Sequence, residues 1–236
     1  MRHEMISQFG PELWLADGPS IKAAAGFHYP TRMAVIRLRG RDLFIWSPIP
    51  LTNALRRGID ALGTVKYLIA PNTLHHMFLQ DWIAAFPDAA PFAAPGLPSK
   101  RTDISFAGEL TETPDPAWAD DIDHVILTGN AITTEVVFYH RPSGTVLFTD
   151  LLQQLPKDWF SGWRAMVARL DLMTEAEPTV PRKFRIAFRD KTALRQSVRK
   201  VKSWNPRAVV MAHGTPITQD ASAFLDRAFS WVPGSK

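Results

Sequence analysis

Short apolar runs alternate along the chain with stretches whose apolar positions recur at helical spacing, and this rhythm predicts the elements. Residues 12–15 read as a short strand, and 33–38 with 42–46 as a hairpin across Arg39-Gly40-Arg41. Helical spacing from 52 to 62 ends at Gly63, and the buried strand 65–70 is stopped by Pro71. Spacing of a second helix runs through His75, Phe78, Leu79, Trp82, Ile83 and Phe86 and halts at Pro87. The Pro-rich stretch 87–98 is loop with room for one short strand. Residues 123–127 open a second strand series, and 135–140 with 145–150 form a hairpin around Arg141-Pro142-Ser143-Gly144. Helices over 157–170 and 190–204, a buried strand at 208–211 and a helix at 220–231 with Thr218 as its N-cap complete the chain. No linker separates two cores, so the pattern predicts a single α/β domain over 1–236, an αβ/βα sandwich.

Composition supports a buried core. Of 236 residues 46% are hydrophobic, with eight Trp and 14 Phe. The absence of Cys excludes disulfides, thiolate metal sites and a Cys nucleophile, and fits a reducing compartment. Met1-Arg2-His3-Glu4 leads into no apolar leader segment, and no run reaches the length of a membrane span, so a cytoplasmic protein is expected. The net charge of +4 is concentrated: ten Lys or Arg and one acid, Asp190, lie between Arg182 and Arg207. Leu194, Val198 and Val201 fall on one side of a helix there, which makes a solvated basic face the simpler reading. Only Trp204 is interleaved with the basic residues, so a nucleic-acid partner is disfavoured and a small-molecule ligand expected.

Three islands carry candidate chemistry: Asn72-Thr73-Leu74-His75-His76, Asp150 at a strand end, and Ala212-His213-Gly214. Each admits an ordinary reading. The two adjacent histidines could pack on Trp82 or Phe78, or cap a carbonyl, and Asp150 could cap a helix. Together they offer imidazoles and a carboxylate where apolar strands end, a donor set suited to zinc or iron. The His pair is expected at a helix start, with Asn72 or Thr73 as N-cap, where the positive helix end keeps imidazoles neutral. If the second hairpin turns on Pro142-Ser143, opposed residue numbers sum to about 285, placing Glu135 across from Asp150 and His140 across from Thr145. His140 then lies roughly 16 Å along the strand and is excluded.

Further islands are Thr31-Arg32-Met33-Ala34-Val35-Ile36-Arg37-Leu38, Trp46-Ser47-Pro48, Ala70-Pro71-Asn72, Pro95-Gly96-Leu97, Gly129-Asn130, Glu135-Val136-Val137-Phe138 and Asp150-Leu151. In this order the set resembles a domain-of-unknown-function branch of the metallo-β-lactamase superfamily, over about residues 10–230. The resemblance implies a four-layer αβ/βα fold. It also exposes departures from the superfamily pattern His-x-His-x-Asp-His. Pro71 and Thr73 stand at the first two His positions, His75 at the Asp, His76 at the final His, and Asn130 where a further ligand His follows a Gly. Asp150 and His213 match the bridging Asp and the last His. One metal subsite is thus lost, and the resemblance implies a mononuclear centre of His75, His76, Asp150 and His213 for one divalent transition metal. Zinc is the first choice, with iron or manganese compatible. Glu135 is expected as general base or further ligand, and Asn130 as an oxyanion donor. The implied function is a metal-dependent hydrolase of an ester, thioester, lactone, amide or phosphoester; the alternative is a binding protein of the same fold with a vestigial site. The loop 87–118 is expected to roof the pocket.

Overall fold

The computed structural model describes residues 6–234; the Met1–Glu4 start considered above lies outside the described residues. The first half builds β1 (Ser7–Gly10), β2 (Leu13–Lys22), β3 (His28–Arg37), β4 (Asp42–Trp46), α1 (Asn53–Leu62), β5 (Thr64–Ala70), α2 (Leu79–Ala85), β6 (Ala90–Ala93), α3 (Leu97–Lys100) and β7 (Gly108–Glu109). The second half builds β8 (Ile122–Leu127), β9 (Glu135–His140), β10 (Thr145–Gln153), α4 (Gly162–Leu170), α5 (Arg182–Ala187), α6 (Lys191–Ser203), β11 (Ala208–His213) and α7 (Ala221–Ala228). A seven-stranded sheet runs in order β1 to β7, and a four-stranded sheet in order β11-β10-β9-β8.

The two sheets face each other across Ile36, Phe44, Trp46, Ile126, Phe138 and Val210, all buried. Outside the first sheet, Leu55 and Ile59 of α1, Leu79 and Trp82 of α2 and Leu97 of α3 pack on the outer side chains of β3, β4 and β5. Outside the second, Phe184 of α5, Leu194, Val198 and Val201 of α6, and Phe224 and Leu225 of α7 do the same. Helix, sheet, sheet and helix form four layers, the αβ/βα sandwich expected from the alternation of strands and helices.

Local rules account for several boundaries. The Thr52 hydroxyl accepts from the Leu55 N–H and starts α1, and Gly63 ends it. The β9–β10 hairpin has the expected register, with His140 opposite Thr145 and Phe138 opposite Leu147. The pairs β4–β5 and β10–β11 are parallel, so within each sheet these strands end on one edge, where ligands gather in layered α/β folds.

Other boundaries differ from the expectation. Helix α2 begins at Leu79, not near His75, because the Asn72 side-chain oxygen accepts from the N–H groups of Leu74 and His75 and holds a turn instead. The helix-end argument for neutral imidazoles therefore does not apply. Helix α5 was not foreseen, and α7 starts after Asp220 rather than from Thr218. In the basic segment, Lys183, Lys200 and Lys202 make ion pairs with Asp171, Asp123 and Asp226. Among the described residues, no helix is long and apolar enough to cross a membrane.

Candidate metal centre

Strand ends and the turns beyond them deliver the side chains. Beyond β4, Ser47 adopts a left-handed backbone (φ 53°), a conformation costing on the order of 1 kcal/mol for a residue with a side chain. That turn brings its hydroxyl within 2.8 Å of His75 Nδ1. The Asx-type turn at Asn72 sets His75 itself, and β10 carries Asp150. His213 ends β11, held by three hydrogen bonds: Arg32 donates to the carbonyls of Met211 and Gly214, and Gln154 N–H donates to the His213 carbonyl. Gly214 is needed there. A Cβ would stand 2.9 Å from Met211 Sδ and 3.2 Å from the Gln154 nitrogen.

His75, Asp150 and His213 converge. The two imidazole Nε2 atoms are 3.2 Å apart, His75 Nε2 is 3.3 Å from Asp150 Oδ2, and His213 Nε2 is 3.4 Å from Asp150 Oδ1. Among the described residues these three form the group that could hold a metal ion. Because a carbonyl can only accept, His213 Nδ1 must carry the proton it donates to the Pro30 carbonyl at 2.7 Å. Nε2 is then the ring nitrogen that faces Asp150 and His75. Asn72 Nδ2 donates to Asp150 Oδ2 at 2.6 Å and orients the carboxylate. Burial alone would push the Asp150 carboxyl up, but the two imidazoles and its hydrogen bonds outweigh burial and hold it well below the usual carboxylate range.

The residues fit a metal ion. Zinc bonds of about 2.0 Å at tetrahedral angles place neighbouring donors about 3.3 Å apart, and the three separations are 3.2, 3.3 and 3.4 Å. Both Nδ1 atoms are engaged by an oxygen partner, as is usual for metal-binding imidazoles.

The other expected site residues are placed elsewhere. His76 turns away: Arg101 donates to its Nδ1 at 2.8 Å. Burial, with Lys100 and Arg101 nearby, lowers its pKa to about 4. Glu135 cannot serve as general base, since its carboxylate accepts the N–H groups of Thr149 (2.7 Å), Asp150 (2.9 Å) and Leu151 (3.0 Å). It is fully buried beneath the strand, and that burial, reinforced by Asp150, raises its pKa to about 7. Asn130 is spent on backbone, donating to the Phe184 carbonyl and accepting from the Ile132 N–H.

The group floors a cavity of about 420 Å³. Residues 21–24 at the β2–β3 tip, Leu74, Met77, Phe78 and Ile132 wall it, together with Lys183 and Phe184 of α5, so residues 87–118 do not roof it. Two wall residues were missed from sequence. Ser47 had a signal, a polar residue at a strand end beside Pro48. Tyr29 had none; its ring lies 5.3 Å from that of His213, and burial raises its phenol above the ordinary value.

Solved structures share this architecture. A metallo-beta-lactamase from Pontibacter korlensis is 9% identical, with 96% of this chain and 98% of that one covered and a TM-score of 0.62. One from Erythrobacter litoralis, with beta mercaptoethanol in its active site, is 13% identical over 96% of each chain at a TM-score of 0.63. The FIM-1 metallo-beta-lactamase from Pseudomonas aeruginosa, in its mono-zinc form, is 9% identical over 96% and 95% at a TM-score of 0.60. The fold is thus that of the metallo-beta-lactamases. The profile described as Domain of unknown function (DUF4336) matches residues 20–179, and the chain belongs to that family. No curated protein matches it.

Proposed function

We propose that the chain is a metal-dependent hydrolase with a mononuclear centre held by His75, Asp150 and His213. The observation carrying this reading is the set of donor separations of 3.2, 3.3 and 3.4 Å at the floor of an open cavity. A divalent cation bound there, zinc by donor type, supplies Lewis acidity toward a substrate oxygen. The chain's own groups do the rest. The Pro30 carbonyl and the Ser47 hydroxyl fix both rings, and Asn72 keeps Asp150 oriented. Tyr29, kept protonated by burial, receives a Lys183 hydrogen bond at 3.4 Å on its oxygen and has its own O–H to offer an oxyanion. The mono-zinc form of FIM-1 supports a one-metal state in this fold.

The second reading, a binding protein that has kept the fold, is favoured by one observation. His75 and His213 each lie within hydrogen-bond reach of Asp150, so the cluster can close on itself without an ion. Elemental analysis of protein purified without chelator separates the two. About one transition metal per chain, with metal-dependent hydrolysis of a model ester, supports the hydrolase; metal near zero transfers the assignment to the binding protein.

A further inference from the structure

Cation and donor placement in the cavity narrows what it holds. Lys183 is already paired, 3.3 Å from Asp171 Oδ2, with its ammonium over the Tyr29 ring. The other cation, Lys22, is exposed, and no arginine among the described residues lines the cavity. The Thr31 hydroxyl donates to the Pro19 carbonyl, and the Ser47 hydroxyl is engaged with His75. A phosphoryl or sugar ligand needs several converging free donors, and beyond the Tyr29 O–H these walls offer few. Ile49, Phe78 and Phe184 instead give the interior an apolar surface.

That surface continues outward. Leu74, Met77 and Ile132 line the same cavity while remaining 38%, 54% and 44% exposed. Large apolar side chains left in water beside a concave apolar wall mark a surface completed by an apolar ligand.

Resting on the hydrolase reading above, we infer that the substrate is a neutral acyl compound, a carboxylic ester, thioester or lactone, whose aliphatic chain occupies this cavity. The scissile carbonyl lies at His75, Asp150 and His213, and the chain runs out past Leu74, Met77 and Ile132. Phosphoesters are expected to bind more weakly than such acyl compounds. In the reaction, water adds its oxygen to the acyl carbon, the carbon–oxygen or carbon–sulfur bond breaks, and the leaving group takes the proton.

Chain binding is tested without turnover, by calorimetric titration of chelator-treated protein with straight-chain N-methyl amides lengthened two carbons at a time. The dissociation constant is expected to fall about tenfold for each two methylenes until the cavity is full, with no saturable binding of phenyl phosphate. The exposed-site variants Met77→Asp and Ile132→Asp, checked for unchanged circular dichroism, should each weaken the longest amide about tenfold. A length-independent constant, tighter binding of phenyl phosphate, or unaffected variants would overturn the inference. Metal content measured on untreated protein keeps the two claims separate. Chain-length dependence without metal defeats the hydrolase and leaves the acyl cavity, and metal without chain-length dependence does the reverse.

Discussion

His75 and His140 make the same bond: each ring shares a 2.8 Å hydrogen bond from Nδ1 to a serine hydroxyl, Ser47 for the first and Ser143 for the second. Their other nitrogens differ completely. His75 Nε2 meets Asp150 and His213 at the edge of a cavity, whereas His140 Nε2 is sealed in the protein with no partner. Burial lowers the His140 pKa to about 4, with Asp121 and Glu12 only partly opposing it. The histidine–serine pair therefore carries no chemistry of its own. What faces Nε2 decides whether the pair orients a ligand or fills a core.

The largest effects should come from removing what His75 faces. Asp150→Ala and His213→Ala are each expected to lower metal affinity by about 100-fold or more, since each deletes one of three donors. His140→Ala should leave metal content unchanged. Competition with a chromophoric chelator measures all three, and equal metal in every variant would sink the assignment of the centre.

Next in size is the serine that positions the ring. Removing an outer partner of a ligating histidine typically costs about 10–100-fold in metal affinity, so Ser47→Ala should fall in that range. Ser143→Ala, which cuts the matching bond on His140, should leave affinity where it was. If both serines behave alike, the 2.8 Å bond at His75 does not orient a ligand.

The sealed partner should reveal itself through acid instead. A histidine whose pKa drops on folding is protonated more readily in the unfolded chain, so stability is present above the unfolded value near 6.5 and lost as pH falls toward about 4. Between pH 7 and 5 that loss amounts to roughly 2 kcal/mol for His140. Urea midpoints of the wild type and His140→Gln at both pH values measure it. The variant should lose less stability than the wild type by about that amount, and an identical loss would mean that His140 already carries its proton in the fold.

Much of this contrast was legible in sequence. The Pro–Gly turn fixed the β9–β10 register, and register alone sent His140 away from Asp150. The same arithmetic put Glu135 near Asp150 but said nothing of its role, because apolar patterning is blind to where backbone N–H groups go. Three of them close on Glu135. The turn after β5 departs from the sequence expectation for a related reason. Helical spacing from His75 onward was real, yet Asn72 captured the first amide groups and delayed the helix to Leu79. Within such a turn adjacent side chains diverge, so His75 and His76 could not be told apart by spacing.

The smallest expected effect is the one that best tests that divergence. His76 would be the obvious fourth ligand by analogy of position, and a metal there requires a free ring nitrogen in a neighbourhood that tolerates a second cation. Its surroundings are the opposite. The Arg101 guanidinium donates to Nδ1, and Lys100 adds positive charge that, with burial, holds the ring neutral near pKa 4. A divalent ion drawn to His76 would have to displace Arg101, which is also held by Asp103 at 2.7 Å. His76→Ala should therefore change metal affinity by less than about twofold, against the much larger loss for His213→Ala. A loss of comparable size would mean that the turn rearranges on metal binding and that the three-donor centre is incomplete.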